Sequence, residues 1–402
     1  MSFVQRSPTV PTELISMIFA EALPRDLRLV RAASRAFNVL ATPGAFRQVH
    51  FTNTRPSLVR LRSLLRVPYI RGHIKEIIYT DLLEIERVDR PEPEGEIECD
   101  TDMRRRLYRA FVDAPLPALR AFILTFPSTR ERNHHDQWYP GNELQWQWDM
   151  LDVVSDLAPL HTLTINNLPT ISHRLYGRPA FQALLRSVRI LRVTTLRNHD
   201  VSSWRSFWSI SLQQHFLRPL SAANTLTSLT LHYYNYVDFD MRGAMFSWRE
   251  MFIPQLSVLS LRYMPFDAHL QGRSHLEDCI VRHGKTLRTL ELLHCTIMTH
   301  ETDEDEYAAP GVRGRRWVDV WRRFEANLTK LTELRAIGIE RKAYVNEDGQ
   351  GLRFERWTSA IWYTRASHHG EHLRMSFNRR EDTEALQSLK DLIDSRARGL
   401  DL

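Results

Sequence analysis

The chain has 402 residues, of which 43% are apolar and 25% charged, and its formal charge is +6. That composition excludes wholesale disorder, and the length exceeds one ordinary compact domain, so several globular units or an elongated repeat array is expected. Three scattered cysteines, Cys99, Cys279 and Cys295, exclude a disulfide framework and favour a reducing compartment, cytoplasmic or nuclear. The first residues, Met1 to Arg6, lack the apolar stretch of a secretory signal. No run of about 18 apolar residues occurs, so no membrane span is expected. The arginines are scattered rather than gathered into a stripe, which argues against nucleic acid as a partner.

The first fifty residues predict short helices. Pro11 suits a first helical turn, where its missing N–H costs nothing. Leu14, Ile15, Ile18, Phe19, Ala22 and Leu23 then recur at helical spacing, and Pro24 ends the pattern. A second helix is expected from Asp26, with a stripe of Leu27, Val30, Ser34, Phe37 and Leu40. Thr42-Pro43-Gly44 breaks the chain, and Phe46, Val49 and Phe51 follow. So few residues cannot bury that much apolar surface alone, so the stripe must face the rest of the chain or another protein.

Beyond residue 51 a short pattern recurs: apolar-x-x-apolar-x-apolar. It appears at Ile74/Ile77/Tyr79, Leu119/Phe122/Leu124, Leu160/Leu163/Ile165 and Val188/Leu191/Val193. It returns at Leu226/Leu229/Leu231, Leu256/Leu259/Leu261, Leu287/Leu290/Leu292 and Leu331/Leu334/Ala336. The last three residues of each alternate as a half-buried strand does, and a further strand is expected over Leu373–Phe377. Helical stripes lie between: Phe181, Leu184 and Leu185; Leu276, Cys279, Ile280 and His283, with Gly284 as a C-cap; and Trp317, Val320, Trp321, Phe324 and Leu328. Strand, loop and helix in repetition predict a solenoid. The intervals of 45, 41, 28, 38, 30, 31 and 44 residues imply irregular units with insertions. Pro91–Asp100, Ser128–Trp148 and Glu301–Glu306 are expected to be loops, the last followed by Arg313, Arg315 and Arg316. Leu386, Leu389 and Ile393 share one face of an expected terminal helix.

No catalytic constellation emerges: there is no phosphate loop, dinucleotide fingerprint or nucleophile elbow. His134-His135-Asp136 and His368-His369-Gly370 lack metal-ligand spacing, and His294-Cys295 lies inside the repeated pattern. No catalytic residue, metal site or cofactor is therefore expected.

The segment from Val10 to Val49 resembles an F-box, in the order and spacing of Pro11, Glu13, Leu14, Ile15, Ile18, Phe19, Leu23, Pro24, Asp26, Leu27, Val30, Ser34, Phe37, Leu40, Pro43 and Phe46. Val10 stands where Leu is usual, Ser34 where Cys is common, and Phe37 and Phe46 where Trp is common. The later segment Leu287 to Ile297 resembles a full leucine-rich repeat, including its Cys295; the other segments keep the strand and lose the Asn or Cys, with Met264 at that place after Leu261. Together these resemblances imply an α/β protein: a small N-terminal helical F-box (8–50), an irregular leucine-rich-repeat-like solenoid with a curved parallel sheet and outer helices (51–381), and a C-terminal capping helix and tail (382–402). They imply a non-catalytic substrate receptor of an SCF-type ubiquitin ligase, bound to a Skp-type adaptor and through it to a cullin, and holding an unknown protein substrate. Val10, Pro11, Leu14, Ile15, Ile18, Leu27, Val30, Phe37 and Phe46 are the adaptor contacts this resemblance implies. The alternative is a repeat scaffold for protein–protein interaction whose N-terminal helices serve only as a cap.

Overall fold

The computed structural model describes residues 10–80, 108–109, 111–126, 145–156, 159–196, 207–233, 248–267, 275–300, 316–337, 339–345, 352–358, 363–366, 372–375 and 380–399. The protein is α/β, and its chain divides into two compact units, Met1–Thr164 and Ile165–Leu402. Of the expected loops, Pro91–Asp100 and Glu301–Glu306 lie outside the described residues, as do Cys99, His134, His135, His368 and His369.

The first unit opens with helices α1 (Thr12–Glu21), α2 (Pro24–Val30) and α3 (Arg35–Ala45), then strand β1 (Gln48–Thr52) and helix α4 (Arg55–Leu65). Strands β2 (Glu76–Thr80) and β3 (Ala121–Thr125) and helix α5 (Gln145–Ser155) complete its regular elements. Pro24 opens α2 as well as closing α1. The expected single helix to Leu40 is in fact two, because Ser34 Oγ accepts the Phe37 N–H at 3.1 Å and starts α3 afresh. Ser34 is therefore an exposed cap and not a member of the apolar stripe. Thr42-Pro43-Gly44 lies inside α3 and does not break it. The expected loop to Trp148 also ends early: Trp148 is buried in α5, with its ring 4.9 Å from that of Phe126.

β1, β2 and β3 are parallel and in register. One face carries Val49, Phe51, Ile77, Tyr79, Phe122 and Leu124, all buried, as the period-two pattern requires. One carbonyl at the foot of each strand accepts two successive N–H groups from the next. Arg47 O takes Lys75 and Glu76 (2.8 and 3.0 Å), Lys75 O takes Arg120 and Ala121 (2.8 and 3.0 Å), and Arg120 O takes His161 and Thr162 (2.8 and 2.9 Å).

Strand β4 (Thr162–Pro169) spans the division between the units. The second unit continues with α6 (Pro179–Ser187), β5 (Ile190–Leu196), a π-helical stretch Phe207–Leu217, β6 (Ser228–His232), β7 (Val258–Arg262) and β8 (Pro265–Asp267). Next come α7 (His275–Arg282), β9 (Thr289–Leu293), β10 (Thr296–His300), α8 (Trp317–Asn327) and β11 (Glu333–Ile337). β12 (Ile339–Val345), β13 (Leu352–Thr358), β14 (Tyr363–Ala366), β15 (His372–Met375) and α9 (Arg380–Ala397) follow. β5, β6, β7, β9 and β11 form parallel pairs in that order. The same forked bond recurs here: Arg189 O, Thr227 O, Ser257 O and Arg288 O each accept two successive N–H groups. β8, β10 and β14 are parallel, β15 runs antiparallel to β14, and β12 and β13 form a hairpin. All eight sequence motifs supply a strand, and the first apolar residue of each is buried. β1, β8, β10 and β12 to β14 follow no such motif and were not legible, whereas the strand expected over Leu373–Phe377 is β15, His372–Met375. Three non-glycine residues have left-handed backbone, Asn167, Tyr263 and His294, with φ of 58°, 57° and 55°. Each stands at the same place in its repeat, seven residues after Leu160, Leu256 and Leu287 respectively.

The C-terminal helix caps α8 at both ends. The Asp382 carboxylate, buried, accepts the Val318 N–H at 2.8 Å, and Arg396 donates to the Leu328 carbonyl at 2.8 Å. An acid at the N-terminus and a cation at the C-terminus both oppose the helix dipole. Leu386, Leu389 and Ile393 are buried as expected. Trp317 and Trp321 stack at 4.7 Å beneath, and Phe266 packs on Trp317 at 5.0 Å. Among the described residues no helix is long and apolar enough to cross a membrane.

Gly284, expected as a C-cap, lies two residues beyond the end of α7 and its φ is not positive. What it provides is room: a Cβ there would lie 2.2 Å from the Asn327 carbonyl oxygen and 3.1 Å from that of Val281. Gly284→Ala is expected to destabilise the second unit by about 1–3 kcal/mol in denaturant unfolding, the range for overpacking. Gly72→Ala, where the nearest atom is 3.8 Å away, is the matched control and should melt as wild type does.

His283 is buried between two backbone partners. Its Nδ1–H donates to the Cys279 carbonyl (2.7 Å) and its Nε2 accepts the Ile253 N–H (2.9 Å). Burial lowers its pKa below the ordinary value; the Cys279 carbonyl opposes this and Arg282 adds to it. Above about pH 6.5 the ring is neutral in the folded and the unfolded chain alike. As pH falls below that value the unfolded chain binds a proton that the folded ring resists, so stability is lost. Denaturant midpoints are expected to fall from about pH 7.5 to about pH 5.5. His283→Gln should start lower and lose less over the same range; an identical slope in both proteins would refute the assignment.

Candidate functional site

The three N-terminal helices share a small core. Leu27, Ala41, Ala45 and Phe46 are buried together, and Phe19, Ala22, Val30, Leu64 and Ile70 pack around them. Leu64 and Ile70 come from α4 and the one-turn helix after it, so the helices are seated on the rest of their own unit. Gly44 lets α3 approach closely: a Cβ there would meet Leu27 Cδ1 at 2.5 Å and the Phe19 carbonyl oxygen at 3.4 Å. The Phe19 and Phe37 rings meet edge to face at 5.8 Å. The Arg31 guanidinium covers the Phe46 ring at 4.5 Å, and Arg28 Nε donates to the Ala45 carbonyl at 3.4 Å. Thr42 Oγ1 donates to the Asn38 carbonyl at 2.5 Å, tying the turn that precedes Pro43.

The outer face of α1 stays in water. Val10, Leu14, Met17 and Ile18 are exposed, with Leu14 at 49% and Ile18 at 63% although their own helix has a core beside it. Leu14, Met17 and Ile18 stand three and four residues apart on one side of the helix, and Val10 lies just before its first turn. Leu23 and Leu29 around α2 and Val39 on α3 are exposed as well, Leu29 at 77%. Isolated exposed apolar residues are ordinary, but a helical row of three marks a surface that excludes water only when something covers it.

The nine expected contact residues separate by position. Val10, Pro11, Leu14 and Ile18 are exposed, and Ile15, Val30 and Phe37 are half-buried. Leu27 and Phe46 lie inside the helical core, so their part is to hold the surface and not to line it. Sequence reading omitted Met17, Leu29 and Val39. Met17 stands one turn beyond Leu14 on the same side of α1, whereas Leu29 and Val39 stand on faces that only the packing of α2 against α3 determines.

Elsewhere the two described thiols, Cys279 and Cys295, are withdrawn from water. Burial pushes the Cys279 and Cys295 thiols up to about 12, so neither is a thiolate at neutral pH. Cys295 Sγ instead lies 3.7 Å from the Leu261 carbonyl and 3.9 Å from that of Leu293, bridging neighbouring strands at the turn. Met264, at the equivalent place one strand earlier, is buried with no such donor. Among the described residues no three metal-binding side chains gather. In comparisons with known proteins, no family model matches this chain and no curated sequence is significantly similar to it.

Proposed function

We propose that this chain is the substrate-recognition subunit of an SCF-type ubiquitin ligase. In this reading residues 10–49 are an F-box that docks on a Skp-type adaptor, and through it a cullin. The parallel strands beyond belong to a leucine-rich-repeat-like solenoid that holds a protein substrate. The observation that carries the reading is the exposed row on α1. Helices acting only as a cap would turn Leu14 and Ile18 into the chain, yet both are exposed while Leu27 and Phe46 already fill the core. Apolar anchors about one turn apart suit docking of a helix face into a partner's groove. The chain's contribution to transfer would be proximity, since effective concentration needs no catalytic side chain on the receptor.

The test is co-purification with the host's Skp-type adaptor. Wild type is expected to co-elute in stoichiometric amount. Met17→Asp with Ile18→Asp should weaken binding by at least about 2 kcal/mol, roughly thirtyfold. Both side chains are outside the core, so the variant should melt as wild type does. Val30 is unsuitable for this purpose, because it packs on the helical core. A folded wild type that elutes without the adaptor would instead favour the non-catalytic repeat scaffold.

A further inference from the structure

The strands of the second unit bury leucines on one face and present a different set on the other. In-register pairing arranges that outer set in rows. One row runs Arg192, Thr230, Ser260, Glu291 and Arg335; the next runs Thr194, His232, Arg262, Leu293 and Ile337. Ser260, Glu291 and Arg335 of the first row and His232 of the second are paired with one another. Ser260 Oγ donates to Glu291 Oε2 at 2.7 Å and, its proton so placed, accepts from His232 Nε2 at 2.9 Å. Arg335 approaches Glu291 at 3.7 Å. The imidazole stands at the end of this chain and not between acid and hydroxyl, so it cannot take the Ser260 proton as a catalytic triad would.

Arg262 is different. Among the described residues no carboxylate pairs with it, and its Nε is out of water with no hydrogen-bond partner. Its guanidinium lies over the Tyr263 ring at 4.8 Å, and the Tyr263 ring stacks on His294 at 4.9 Å. Tyr263 and His294 hold this stack with left-handed backbone, which costs non-glycine residues about 1–3 kcal/mol each and persists where surrounding structure enforces it. Burial, with Arg262 beside it, keeps His232 neutral at pH 7, so the positive charge at this corner belongs to Arg262. Val258, Leu293 and Ile337 on the same face are half-exposed apolar neighbours. Its Nη2 donates to the Tyr263 hydroxyl at 3.4 Å, which fixes the guanidinium plane, and the half-exposed Arg262 side chain brings that cation to the surface, where a carboxylate is its matched partner.

We propose that this outer face docks a protein segment in which one Asp or Glu pairs with Arg262 while flanking apolar side chains rest on Val258, Leu293 and Ile337. This goes beyond the adaptor reading, and its test contains no adaptor, so the two fail separately. The probe is a synthetic array of short peptides with a central Asp or Glu among apolar residues, matched to the same peptides with Asn or Gln, and incubated with the purified full chain. Wild type is expected to retain a subset of the carboxylate peptides and to lose it on amide replacement. Arg262→Gln should weaken retention at least about tenfold. Arg192→Gln, which removes an exposed arginine of the same face, should leave it within about twofold. Arg262→Lys keeps the charge and loses the fork, and should fall between. No retained peptide, equal retention of amide peptides, or an equal loss in Arg192→Gln would each overturn the proposal.

Discussion

A single forked hydrogen bond sets the register on which each unit depends. The carbonyl at the foot of a strand accepts two successive N–H groups of its neighbour, from Arg47 and Lys75 in the first unit to Ser257 and Arg288 in the second. Once that carbonyl is placed, the alternation of side chains leaves no choice of face. A slip of one residue would turn Leu229, Leu259 and Leu290 out to water and bring Thr230, Ser260 and Glu291 into the core. The outer rows exist as rows for the same reason. The left-handed residues Tyr263 and His294 then follow from the need to turn sharply after the last ladder bond, where their own N–H groups reach the Leu293 and Ile337 carbonyls.

At the N-terminus the governing limit is supply. Three short helices have one small core, and Leu27, Ala41, Ala45 and Phe46 fill it. The close approach at Gly44 leaves no further volume for a large side chain. Leu14, Met17 and Ile18 consequently remain outside, in a position that a partner's groove would complete. Crowding within the helices and exposure on α1 are two sides of one packing problem.

The strands were legible because their signal is local: the spacing of Leu256, Leu259 and Leu261 states both the strand and its buried face. The helix boundaries were less so. Ser34 reads as a stripe residue by spacing, and its capping bond to Phe37 depends on a backbone turn that spacing does not encode. Gly284 shows the same limit, since its reason is a carbonyl on a helix more than forty residues away. β8 and β12 carry few apolar residues in any regular pattern and were missed for want of one. For the surface, periodicity gave the row on α1, while the inward position of Leu27 and Phe46 came from tertiary packing. Arg262 offered no sequence signal, because what distinguishes it is its place over the Tyr263 ring with no carboxylate beside it among the described residues.

The double capping of α8 by α9 also orders events during synthesis. Val318 and Leu328 leave the ribosome about sixty residues before Asp382 and Arg396, the groups that satisfy them. For several seconds at ordinary elongation rates, α8 carries an open donor at one end and an open acceptor at the other. The nascent second unit therefore passes through a stage in which α8, with its stacked Trp317 and Trp321, lacks the helix that caps it, and a chaperone that recognises unfinished helices of this kind would meet it there.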